Sequence, residues 1–274
     1  MTREDVMKAS KVPAVTLGFW IIKILATTLG ETGGDSVSMS WLGETTPGAG
    51  AGGLNGYLVG TAIFGVALIA LVWTQIRASR FNPWLYGATI IASTTAGTTL
   101  ADYATRSIGI GYLGGTLMLF TLVIASLLAW KATLGTIDVN TVATPRVETF
   151  YWVTITFSQT LGTALGDWAA DSGGLGYLGG AALFGGMLAV LALLYFRSRV
   201  SHVLLFWAAF ILTRPLGATV GDFLDKPLAQ GGIALSRPIA TIILAVAIIL
   251  LIAILPQRAG AHPGAVDRRP PNPT

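Results

Sequence analysis

The sequence predicts an all-α integral membrane protein of about eight transmembrane helices, made of four parallel two-helix repeats. Motif-bearing helices are expected inside and returning helices outside. Three observations carry that expectation. The chain of 274 residues is 53% hydrophobic and only 11% charged, whereas a soluble domain carries about a quarter charged residues. Eight apolar stretches approach the ~20 residues needed to cross a bilayer. A Gly-x4-Asp motif recurs at matched positions along the chain.

In order, the expected spans are 13–34, 56–76, 82–103, 111–131, 149–169, 176–196, 203–223 and 237–256. They group into repeats 13–80, 81–143, 144–199 and 200–256. Residues 1–12 form a polar N-terminal segment. Followed by an apolar run, it has the outline of a signal peptide. The first span carries the same motif as three later spans, however, and so belongs to the mature fold. Residues 257–274, rich in Pro, Arg and Ala, read as a disordered cytoplasmic tail. The eight tryptophans (Trp20, Trp41, Trp73, Trp84, Trp130, Trp152, Trp168 and Trp207) fall near span ends and read as an interfacial belt.

Orientation follows from the basic residues. The N-terminal side of the membrane is expected to hold 12 of the 17 Lys and Arg. By the positive-inside rule both termini are then cytoplasmic, which agrees with an even number of spans.

Composition also excludes chemistry. With no cysteine there is no disulfide and no thiolate site. The two histidines, His202 and His262, sit in or beside expected loops, so a histidine-built metal centre is not expected. No Ser/His or HExxH pattern is present, so no enzyme activity and no cofactor are expected. Nothing points to nucleic acid.

The four motif copies are Gly30–Asp35, Gly97–Asp102, Gly162–Asp167 and Gly217–Asp222, each with Gly or Ala just before the Asp. Copies two and three continue to Gly-Tyr-Leu-Gly-Gly at 111–115 and 176–180, and copy four to Gly231-Gly232. Copy one has Gly56-Tyr57-Leu58-Val59-Gly60 after a longer loop, residues 36–55, which can act as a lid. With two spans per unit, all four units point the same way through the membrane.

Residues four apart share one helix face. Stepping back by fours from each Asp gives Lys23, Thr27, Glu31, Asp35 in the first motif span and Thr94, Thr98, Asp102 in the second. The third gives Gln159, Thr163, Asp167, with Asp171 one step beyond, and the fourth Arg214, Ala218, Asp222. Arg106 and Lys226 lie four residues past Asp102 and Asp222. Lys23 then lies roughly 18 Å below Asp35 at ~1.5 Å per residue. Charges at such depth normally face a bundle interior and are paired, so either Lys23 or Arg214 is expected to pair with Glu31. The glycines read first as close-packing elements. Where they flank the Asp they can also let the helix break.

Carboxylates, threonine hydroxyls and an amide are hard oxygen ligands, suited to Mn²⁺, Mg²⁺, Ca²⁺ or a monovalent cation. The candidate ion-binding set is Glu31, Asp35, Asp102, Asp167, Asp171, Asp222, Thr98, Thr163 and Gln159. Glu31, Asp35, Asp102, Asp167 and Asp222 are the metal ligands within it, and Lys23, Arg214 and Arg106 the charge partners.

The repeated Gly-x4-Asp pattern with its Gly-Tyr-Leu-Gly-Gly stretches resembles a family of bacterial multi-span proteins described as uncharacterised membrane-anchored proteins. The resemblance spans Pro13 to Pro256 and implies a bacterial inner membrane location but no activity. Glu31-Thr32-Gly33-Gly34-Asp35 is more loosely similar to the Glu-x-Gly-Asp-Lys-Thr motif of cation exporters. It has an extra residue, and no Lys-Thr follows.

The function expected is secondary transport of a small hard cation, most simply a divalent ion such as Mn²⁺ exported against protons. A cation channel with an Asp ring and a non-transporting sensor or scaffold are the alternatives. The expected partners are lipids, the cation and protons, and an oligomer is compatible with the pattern.

Overall fold

The computed structural model describes residues 10–44 and 55–261. Residues 1–9, residues 45–54 of the first outer loop, and residues 262–274 of the tail, with His262, therefore lie outside the described residues.

Among the described residues eight α-helices follow one another: α1 Leu17–Asp35, α2 Gly56–Arg77, α3 Pro83–Asp102, α4 Gly111–Leu134, α5 Pro145–Asp167, α6 Gly176–Arg197, α7 His202–Asp225 and α8 Arg237–Ile254. Their starts have local causes. Thr16, Asn82 and Ser236 accept backbone N–H bonds at the heads of α1, α3 and α8, which satisfies donors that no helical turn can reach. Pro83 and Pro145 sit in the first turns of α3 and α5, where a missing N–H costs nothing.

Among the described residues, five helices are long and apolar enough to cross a membrane: α2, α4, α6, α7 and α8. The chain is accordingly a multi-pass membrane protein. The other three, α1, α3 and α5, carry most of the polar stripe and are shielded by the rest.

The motif helices form a closed ring, α1 against α3, α3 against α5, α5 against α7 and α7 against α1. Each returning helix packs outside, but against the motif helix of the following repeat. Thus α2 lies on α3, α4 on α5 and α6 on α7, and α8 closes the circle on α1. The outer faces of these helices, with Val66, Ile69, Leu117, Val190 and Ile242, are exposed and apolar, as a lipid-facing surface should be.

The motif glycines do not break the helices. Asp35, Asp102 and Asp167 have ordinary right-handed helical backbones, and each is followed by a wider π-helical turn: Ser36–Trp41, Tyr103–Ser107 and Trp168–Ser172. Such turns are rare and frequent at functional sites. Gly111 and Gly176 take left-handed φ values of 72° and 64°, so each turns the chain into its helix, and the Tyr-Leu-Gly-Gly that follows lies in the first turn of α4 or α6.

The end opposite the motifs is sealed. Lys11 N donates to Val142 O at 2.7 Å and Gly260 N to Val12 O at 2.8 Å. The Lys11 ammonium pairs with Glu148 at 2.5 Å and donates to the Ile76 and Ala78 carbonyls that end α2. Trp130, Trp152 and Trp207 are buried in an aromatic cluster at this end. That corrects the expectation of a belt for these three, because ring-on-ring packing holds them in the interior. Trp41, Trp73, Trp84 and Trp168 do stand exposed.

Candidate functional site

The steps of four seen in the sequence become layers across the ring of motif helices. Asp35, Asp102, Asp167 and Asp222 make the first layer, and Glu31, Thr98, Thr163 and Ala218 the second. Thr27, Thr94, Gln159 and Arg214 form the third. Two further steps reach Lys23, Ile90, Ile155 and Phe210, then Phe19, Tyr86, Tyr151 and Phe206. Every one of these side chains is buried. Along the axis carboxylates give way to hydroxyls, then to the Gln159 amide and Arg214 guanidinium, then to a layer that is apolar except for Lys23, and last to an aromatic floor.

The glycines of the motif make this ring possible. A Cβ added at Gly30 would stand 3.0 Å from the backbone carbon of Thr94, and one at Gly97 2.9 Å from that of Gln159. The same holds for Gly162 against Arg214 at 3.0 Å and Gly217 against Thr27 at 2.7 Å. Each motif glycine thus admits the third-layer residue of a neighbouring motif helix. Gly34 and Gly221 do the same for Thr98 and Glu31 of the second layer. Hydroxyls reinforce the seams: Thr94, Thr98 and Thr27 donate across to the Ala26, Gly30 and Thr213 carbonyls at 3.2, 2.9 and 3.1 Å.

Arg214 is the partner of Glu31. Its Nη2 reaches Glu31 Oε2 at 3.0 Å, Thr98 Oγ1 at 2.6 Å and Thr163 Oγ1 at 2.5 Å, so groups from all four motif helices meet here. Among the described residues, Arg214 Nε and Nη1 and both amide atoms of Gln159 are buried without a partner. Lys23 does not join this cluster. Its Nζ has no hydrogen-bond partner among the described residues and lies 4.0 Å from the Phe210 ring centroid.

Toward the motif end the carboxylates are bridged by basic side chains. Arg106 joins Asp102 and Asp167 at 3.0 and 3.1 Å. Lys226 joins Asp35 and Asp222 at 3.2 and 2.9 Å. Arg237 pairs with Asp225 at 3.2 Å and lies 3.7 Å from Asp35. Burial alone would lower the Lys226 pKa, yet Asp222, Asp35 and Asp225 together hold its ammonium well above the usual lysine range.

Two carboxylate triads converge to within 4.8 Å, Glu31–Asp167–Asp222 and Asp35–Asp222–Asp225. The sequence-derived set is therefore largely gathered, with three corrections. Asp171 is exposed and lies outside the site, because its short side chain sits on the π-helical turn beyond Asp167 and cannot reach back. Asp102 belongs to neither triad and is held by Arg106. Lys23 is set apart as described. Asp225 and Arg237 were missed, since they lie off the steps of four, at the end of α7 and the start of α8. Their nearness to the motif along the chain was the available signal.

Comparison with known proteins gives one family. The profile described as a repeat of unknown function, DUF347, matches residues 18–81, 85–136, 150–201 and 205–258. The chain belongs to this four-repeat family. No curated protein and no solved structure matches, so the looser likeness to cation exporters gains no support.

Proposed function

We propose that this member of a repeat family of unknown function is a secondary transporter that moves a small hard cation, such as Mn²⁺, in exchange for protons. In this reading all eight helices cross the bacterial inner membrane. The basic residues put both termini in the cytoplasm, so the motif end faces outward. At ~1.5 Å per residue, helices of 18–24 residues fit a ~30 Å hydrocarbon core.

One observation carries the proposal. Among the described residues, the buried carboxylates of Glu31, Asp35, Asp102, Asp167, Asp222 and Asp225 face four cations that pair with them, Arg106, Arg214, Lys226 and Arg237. Uncompensated negative charge in a low-dielectric interior is costly. Protons or a hard cation relieve it, and the two compete for the same oxygens, which is the basis of exchange. The triads offer carboxylate oxygens near one another, and the unsatisfied Gln159 amide adds neutral ligand capacity one layer below.

The two ends of the chamber differ in thickness. At the motif end, Arg106 and Arg237 are 21% and 22% exposed, so one layer of ion pairs separates the carboxylates from the outside. A cation arriving there displaces these side chains from the Asp residues. At the other end, Ile90, Ile155 and Phe210 and the aromatic floor fill the ring axis, which argues against a standing cation pore and for alternating access. We assign the chain no enzymatic role.

The test is cation flux in proteoliposomes across Mn²⁺, Mg²⁺, Ca²⁺, Na⁺ and K⁺ with a pH dye inside. Flux should be coupled to proton movement, and Asp35→Asn, Asp102→Asn and Asp167→Asn should each reduce it. Undiminished flux in all three removes the site assignment.

A further inference from the structure

A recess runs beside the aromatic floor. It lies between α1, α3 and α8, with Pro13, Phe81 and Gln257 at its outer end and Lys23, Ala26 and Ile90 at its head. Phe19 and Tyr86 of the floor form part of its wall, so the recess passes the floor along its α1–α3 seam. Its cavity of about 30 Å³ has room for water, which needs roughly 10–15 Å³ and polar neighbours. Polar neighbours exist at both ends, the Gln257 amide at the mouth and the lysine at the head. From Ala26 the third layer of the chamber is one residue away, at Thr27.

Lys23 is the anomaly that gives this recess a role. The residue is 3% exposed, and among the described residues its Nζ has no hydrogen-bond partner. Buried polar groups without partners call for an explanation. Phe210 of α7 lies against it, Tyr86 and Ile90 of α3 and Ile248 and Ile252 of α8 line the recess with it, and Arg214 of α7 is the charged side chain one layer above. No ion pair has to break for its proton to come or go.

Resting on the transport reading, we propose that the recess admits water and protons to the chamber from the cytoplasmic end, and that Lys23 acts as its proton-selective filter. A neutral amine accepts a proton from water in the recess, becoming ammonium and leaving hydroxide to be neutralised by the bulk. The resulting positive charge opposes metal cations on the same path. A carboxylate in this position would attract both. Protons thus have a route that the transported ion lacks, which keeps the exchange coupled.

The absence of native cysteine makes the test direct. Ile90→Cys and Ile22→Cys should each be oxidised when hydroxyl radical is generated from water by a brief X-ray pulse, because the radical forms from water already inside the recess. Ile155→Cys, at a position buried in the core and away from the recess, sets the level for a dry site. Oxidation of both recess thiols no faster than at Ile155→Cys means that the recess is dry and overturns the proposal. In proteoliposomes, Lys23→Gln should retain cation movement while losing the accompanying proton movement, and Lys23→Arg should keep the cation barrier. An unchanged proton-to-cation ratio in Lys23→Gln refutes the filter. If wild-type vesicles move no cation at all, the transport reading fails and the filter with it, while the oxidation still decides whether the recess is wet.

Discussion

Gly162→Ala should loosen the ring at the seam between α5 and α7. The added Cβ overlaps the Cβ and Cγ of Arg214 and stands 3.0 Å from its backbone carbon. A change of rotamer moves Cγ, but Cβ and the backbone carbon stay where the helix holds them, so α5 and α7 must separate or Arg214 must leave Glu31. Overpacking of this kind costs about 1–3 kcal/mol, and loss of a buried pair about 3–5 kcal/mol. The better helix propensity of alanine returns only about 1 kcal/mol. The net loss is about 0–2 kcal/mol if the helices merely separate and about 2–4 kcal/mol if Arg214 leaves Glu31 instead. Gly186→Ala is the matched control: it lies on α6, and its added Cβ meets nothing within 4 Å, so it should be neutral or slightly stabilising. Thermal unfolding of the purified protein in detergent, followed by tryptophan fluorescence, reads both. If Gly162→Ala melts at or above Gly186→Ala, the close approach of α5 and α7 is wrong.

Three more outcomes follow from the same contacts. Arg214→Met should destabilise by about 3–5 kcal/mol by leaving Glu31 buried and unpaired. Adding Glu31→Gln should recover much of that loss, and additive losses in the double-mutant cycle would disprove the pairing. Lys11→Met should loosen the sealed end by stranding Glu148, seen as faster amide exchange at the end of α2, and Glu148→Gln should offset it; unchanged exchange rejects that role. Asp171→Asn, on an exposed side chain, should leave stability within about 0.5 kcal/mol and leave cation binding intact, and a clear loss of binding would return Asp171 to the site.

Much of the ring was legible because each motif helix repeats one spacing. The steps of four placed Glu31, Thr98, Thr163 and the four Asp residues on inward faces, and the structure brings them together. Two further steps back would also have exposed the aromatic floor of Phe19, Tyr86, Tyr151 and Phe206. What the spacing leaves open is reach and ring order. Arg106 and Asp171 hold equivalent positions after their Asp residues, yet a long guanidinium reaches back to Asp102 and a short carboxylate does not. The choice of Arg214 over Lys23 for Glu31 depends on α7 packing beside α1, a closure between distant repeats that no local pattern encodes. Lys11 with Glu148 is a similar long-range pairing, and Asp225 and Arg237 stand off the periodic positions altogether.

The packing of each returning helix on the following repeat makes every repeat incomplete by itself. During synthesis α1 has its outer cover only when α8 arrives, so the final helix is the keystone of the assembly. The same circularity means that no junction between repeats is special. Ser10 and Gly260 are bonded at 3.3 Å, and neighbouring ends of this kind tolerate rejoining. A circular permutant joined across them and opened in the loop between α4 and α5 keeps the same order of neighbours around the ring. It should assemble, whereas a chain lacking one repeat leaves one motif helix uncovered and one returning helix without a seat.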